Sequence, residues 1–193
     1  MKYLQILLVV LLFMCSKSYA QVQVYDTAIK GSIVNFLKWH KEGKEHKPGE
    51  YYFVPRYDGT GDAKRYFDRD SLELYYNNFR HSGLVSELYI VQLKQYFNYY
   101  EKFLGDKPES GDMIKIEGLD QDIVLNTFEP EEILKNLGRS KITKILVIYN
   151  KALVAMNFKK NVDMIFQLTK TNNKWLIDYI GADNTNKNSI FSQ

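Results

Sequence analysis

The run from Ile142 to Ile180 constrains this chain more than any other stretch, because its apolar residues recur every second position. Val162, Met164, Phe166 and Leu168 share one face, with Asp163, Gln167 and Thr169 opposite. Leu153 to Phe158 places Val154, Met156 and Phe158 together. Lys174 to Ile180 places Trp175, Ile177 and Tyr179 on one face and Leu176, Asp178 and Ile180 on the other. This period is that of β-strands. Ile142 to Tyr149 is rich in β-branched residues and too apolar for a strand with one wet face. Tyr149-Asn150-Lys151, Lys159-Lys160-Asn161 and Thr171-Asn172-Asn173 punctuate these runs. Asn tolerates the positive φ that tight hairpins need, and loops this short force neighbouring strands to run antiparallel. The pattern therefore predicts a four-stranded antiparallel meander. Its apolar face must be covered, and the cover has to come from upstream.

Upstream, the period changes to that of helices. Ile29, Ile33, Phe36, Leu37 and His40 form one stripe, with Trp39 beside it and Asp26 or Thr27 available as a cap. Gly43 is placed to take the left-handed position that ends such a helix. Leu72, Tyr75, Tyr76 and Phe79 mark a second helix, with Asp70 and Glu73 spaced like a capping box and His81-Ser82-Gly83 as its stop. A third and longest helix is predicted from Val85 to Leu104, striped by Tyr89, Leu93, Tyr96, Phe97, Tyr100, Phe103 and Leu104. Glu129-Pro130-Glu131-Glu132 suits the start of a short helix closed by Gly138, since Pro and acids both favour a first turn. Tyr51 to Val54, Met113 to Ile116 and Ile123 to Leu125 are short candidate strands. Helices followed by a meander predict an α+β fold, one domain over residues 26–181, with a polar, Asn-rich and disordered tail over 182–193.

The first twenty residues carry a different message. A charged Lys2, an apolar run from Leu4 to Met14 and the small residues of Ser18-Tyr19-Ala20 read as a secretory signal peptide cut after Ala20. The apolar run is too short for a membrane anchor. Met14 stands before Cys15 where a lipoprotein signal has a small residue, which argues against lipidation. The expectation is a periplasmic or secreted protein beginning at Gln21. Losing Lys2 and Lys17 lowers the formal charge from +3 to +1. A surface so near neutrality has no footprint for nucleic acid or an anionic membrane. Cys15 is the only cysteine, so the exported chain has no disulfide and no thiol chemistry. No second apolar run is long enough to span a membrane.

Few residues announce chemistry. Of the three histidines, His46 and His81 fall in loop-like segments, and none is spaced for zinc. His40 sits on a core stripe and reads first as a satisfied core histidine. Asp58, Asp62, Glu117, Asp120 and Asp122 lie in turns without the spacing of a metal loop. No nucleophile elbow, phosphate loop or cofactor motif is present, so neither metal nor cofactor is expected. The fifteen tyrosines and eleven phenylalanines can fill a core or line a cavity.

The helices, the meander and its closing Asn172-Asn173-Lys174-Trp175-Leu176-Ile177-Asp178-Tyr179-Ile180 resemble the nuclear transport factor two-like superfamily. In particular, they resemble a domain-of-unknown-function branch of small secreted proteins of Gram-negative bacteria, which pair a signal with a helix like Ile33 to Trp39. The resemblance implies a cone-shaped α+β fold whose curved sheet wraps a pocket. Its members include isomerases, dehydratases and pure binding proteins, so fold alone does not choose a function. The isomerases use a pocket Asp or His with a Tyr, and no such pair matches here position by position. The reading that follows is a non-enzymatic exported binding module. It holds a small apolar ligand or a protein partner through its cone pocket or its sheet face. The alternatives are a pocket enzyme of isomerase or hydrolase type and an inhibitor or immunity-like protein. Trp39, His40, Tyr96, Tyr100 and Asp178 are the expected ligand-binding residues, with Asp178 projecting opposite to Trp175 and within reach of His40.

Overall fold

A computed structural model describes residues 27–44, 67–102, 121–159 and 162–182. The leader, the segments at Tyr51 to Val54 and Met113 to Ile116, the acids Asp58, Asp62, Glu117 and Asp120, and His46 lie outside them. So do Phe103, Leu104 and everything beyond Ala182.

Helix α1 covers residues 27–41 and buries the expected stripe: Ile29, Ile33, Phe36 and Leu37 are fully enclosed and His40 nearly so. Gly43 ends it at φ 62°, with the Gly43 amide on the His40 carbonyl and the Lys44 amide on the Trp39 carbonyl. That paired arrangement satisfies carbonyls the helix leaves open. Helix α2 is Arg69–Ser82. Its cap is Asp68, whose carboxylate accepts from the Ser71 amide at 3.0 Å, and not the Asp70 box expected from sequence. With Asp68 as the cap, Glu73 falls two positions beyond the place a capping box gives its acid, and it pairs with Lys94 at 2.6 Å. Helix α3 is Glu87–Glu101 and buries Tyr89, Leu93, Tyr96, Phe97 and Tyr100. Helix α4, Pro130–Lys135, has Pro in its first turn and runs into a short 3-10 turn at Leu137–Arg139. Ile123 to Leu125 is a turn and not a strand: Asp122 and Thr127 bridge across it, and Asn126 takes φ 50°.

The meander forms as expected, four strands in the order β1-β2-β3-β4 and all antiparallel. They are β1 Lys141–Ile148, β2 Lys151–Lys159, β3 Val162–Thr171 and β4 Lys174–Ala182. Asn172 and Asn173 both adopt positive φ between Thr171 and Lys174, the backbone a two-residue hairpin requires. Tyr149 does the same at φ 54° and is 96% exposed. An aromatic residue in that region stores about 1–2 kcal/mol of strain.

The pairing register assigns every side chain to a face. Ile145, Val154, Phe166 and Ile180 form one row toward the core, and Val147, Ala152, Leu168 and Ile177 the next. These rows belong to the same buried cluster as the stripes of α1, α2 and α3. The opposite face carries the rows Lys141-Asn157-Asp163, Lys144-Ala155-Ile165-Gly181, Leu146-Leu153-Gln167-Tyr179 and Ile148-Lys151-Thr169-Leu176. Strict alternation in β4 placed Ile180 with Asp178 and Tyr179 with Trp175. The structure reverses this, because Gln167 pairs with Tyr179 while Leu168 pairs with Ile177. Asp178 is therefore an inserted residue, a β-bulge, and it shifts the phase of everything after it. Ile180 goes into the core at 4% exposure and Tyr179 to the other face.

The free edge of β4 is closed by the connection between α2 and α3. Val85 bridges Ile177, the Ser86 amide donates to the Ile177 carbonyl at 2.9 Å, and the Ile177 amide to the Leu84 carbonyl at 3.0 Å. Capped edges resist unwanted pairing.

Candidate functional site

The bulge at Asp178 builds a buried polar cluster. The residue is 2% exposed, and a buried charge needs compensation. Ser86 Oγ donates to Oδ1 at 2.6 Å, Thr169 Oγ1 donates to Oδ2 at 2.5 Å, and Lys151 Nζ reaches Oδ2 at 3.4 Å. Lys151 Nζ also donates to Thr169 Oγ1 at 2.5 Å. Each partner has a structural reason to be there. Lys151 and Thr169 face each other across β2 and β3, on the face away from Trp175. Ser86 is the cap residue of α3, yet its hydroxyl makes no bond to its own helix.

Beside this cluster the outer sheet face carries a groove of about 320 Å³. Leu88, Leu146, Ile148 and Leu153 supply its large exposed apolar side chains, and Lys151, Gln167 and Asp178 its polar ones. The four apolar residues are between 45% and 55% exposed. Four large apolar side chains gathered on one open face are the informative kind of exposure, unlike a single surface leucine. The volume lies at the lower end of small-molecule sites, which start at about 300 Å³.

The five residues singled out from sequence do not converge. Asp178 lines the groove. Tyr96 lines a separate cavity of about 30 Å³ with Tyr89, Gln92, Asn126 and Tyr179, room for about one or two waters. Tyr100 packs against Tyr96 with the rings tilted, centres 4.6 Å apart, and is buried. Trp39 packs edge-on against Phe79 at 5.0 Å and is half-buried against the core. His40 meets Asp122, Nε2 to Oδ2, at 2.9 Å. The other oxygen of Asp122 accepts from the Leu125 amide at 2.7 Å. That contact ties α1 to the 121–127 turn, as do Lys30 on the Ser140 carbonyl and Lys41 on the Leu134 carbonyl for the segment after it. Asp178 and His40 thus hold different partners, and neither cavity has His40 or Asp122 in its lining.

Sequence reasoning missed Ser86, Thr169, Lys151, Leu88, Leu146, Ile148 and Leu153. One signal was present: β1 carries more apolar residues than a strand with one wet face should. The surplus, Leu146 and Ile148, lines the groove.

Two tyrosines are perturbed. Burial pushes the Tyr76 hydroxyl above its ordinary range, and the Glu73 carboxylate adds to the rise. Burial likewise raises Tyr179. Among the described residues there is no group of three or more His, Cys, Asp or Glu that could hold a metal ion. No helix among them is long and apolar enough to cross a membrane. Comparison of the chain with protein-family models, with curated proteins and with solved structures finds no match.

Proposed function

We propose that this protein is an exported, non-enzymatic binding module that captures its ligand on the outer face of its sheet. One observation carries the reading: an apolar groove on an open sheet face also holds a buried carboxylate, hydrogen-bonded at both oxygens, and an exposed lysine. Apolar walls with a few convergent polar groups are the usual make-up of a small-molecule site. A purely structural face would carry polar residues where Leu146, Ile148 and Leu153 stand. Two further features support a binding role over pocket catalysis. Asp178 has hydroxyls and an ammonium around it, and the His40–Asp122 pair is built into the packing of α1. Helices followed by a meander are also what a nuclear transport factor two-like cone contains, and we carry that superfamily as part of the proposal. Export rests on the leader-like pattern of Leu4 to Ala20.

A neutral, environment-sensitive dye such as Nile red tests the groove. The full protein should enhance its fluorescence, and Leu146→Glu or Leu153→Glu should abolish the enhancement while circular dichroism stays unchanged. Enhancement that survives both substitutions would overturn the reading. Export is tested by mass spectrometry of the protein from its native host. A chain starting at Gln21 is expected, and a diacylated Cys15 would overturn that part.

A further inference from the structure

We infer that the groove takes a single-chain amphiphile with an anionic head, its chain along Leu88, Leu146, Ile148 and Leu153 and its head on Lys151. This rests on the groove being a ligand site, and adds the chemical class. The argument is one of donors and charge. An ammonium has three donors. Lys151 directs one to Thr169 Oγ1 and one toward Asp178 Oδ2, and its side chain is 58% exposed. One donor is left for solvent or ligand.

Asp178 offers a ligand nothing in return. Its side chain is 4% exposed and its two oxygens already accept from Ser86, Thr169 and Lys151. A cationic head would find no accessible carboxylate in the lining, whose remaining polar side chain, Gln167, is neutral. The outer rows carry Lys141, Lys144 and Lys151 against one acid, Asp163, which lies in the row Lys141-Asn157-Asp163, outside the groove lining. Of the two charged residues in the lining, Lys151 is the accessible one, and its complement is a carboxylate or another compact anion. The buried carboxylate has a second role: with Thr169 it holds the lysine in the groove lining, so a head group meets a positioned donor and not a mobile one. A volume of about 320 Å³ suits one chain or one flat ring and not a two-chain lipid.

The test compares dodecanoate, dodecanol and dodecyltrimethylammonium, each below its micelle concentration, by calorimetric titration into the full protein. Dodecanoate should bind tighter than the other two by about tenfold, the usual effect of one hydrogen bond to a charged group. Lys151→Met keeps the apolar stem and should bring dodecanoate down to the level of dodecanol. Lys151→Arg should preserve the preference, which guards against a fold defect in the Met variant. Added salt should shrink the preference. Equal binding of all three probes, or an unchanged preference in Lys151→Met, would sink the anionic-head assignment and leave the groove standing. Failure of every probe, or binding that Leu153→Asp does not touch, would overturn the groove as well.

Discussion

Ser86, the residue that starts α3, donates its hydroxyl to Asp178 in the bulge of β4 across 2.6 Å. The bond joins positions far apart in the chain and fixes the helix start against the sheet, where the Ser86 amide already bonds the Ile177 carbonyl. Ser86→Ala removes one donor from a carboxylate whose side chain is 4% exposed. It should lower stability by about 1–3 kcal/mol, the usual effect of a bond to a buried charged group. In an Asp178→Ala background the same change should cost much less. Denaturant unfolding of the two single variants and the double variant measures the coupling. Additive losses would show that the bond does not hold α3 to β4.

Gly181 and Tyr179 form a second coupled pair. A Cβ on Gly181 would stand 2.2 Å from Tyr179 Oη and 2.7 Å from Cζ, so the ring lies where a side chain would be. Gly181→Ala should push the ring away and lower stability by about 1–3 kcal/mol, as overpacking commonly does. In Tyr179→Ala the alanine at position 181 should be nearly neutral. An equal loss in both backgrounds, by thermal unfolding, would mean that the glycine is needed for another reason.

Stability should fall in alkali through Tyr76. Its hydroxyl titrates higher in the folded chain than the 10.0 of a free tyrosine, through burial first and Glu73 second. The unfolded state thus loses its proton first. The contribution is complete below pH 10.0 and is lost as pH rises toward the folded value. Tyr76→Phe should flatten the decline of the unfolding midpoint above that pH. An unchanged slope would place the alkaline sensitivity elsewhere.

The aromatic core gives the fourth expectation. Phe97 is fully buried and packs edge-on against Phe67, Tyr75, Tyr76 and Tyr96. Trp175, on the closing strand, is 4% exposed. Either one changed to Ala should cost about 3–5 kcal/mol, by the lost transfer energy and the cavity left behind. Equilibrium urea unfolding measures it, and a loss under about 0.5 kcal/mol would put that residue outside the core.

The sequence by itself determined the parts governed by near neighbours. The stripe of α1 with its stop at Gly43, the buried face of α3, the alternation of β3 and the Asn172-Asn173 hairpin all follow from spacing along a few turns or a few strand residues. Each is a local periodicity or a local backbone preference, so each is written where it acts. Only the tertiary structure decided the site. Nothing in the Trp175 to Ile180 pattern says that Asp178 is inserted as a bulge, because a bulge is set by the register of the partner strand. Nothing near His40 says that its partner is Asp122, which lies 82 positions away. The groove needs β1, β2, β3, β4 and the start of α3 side by side before Leu88, Leu146, Leu153 and Lys151 become neighbours. Pairing energies of this kind belong to residues distant in sequence, and they exist only once the sheet has closed.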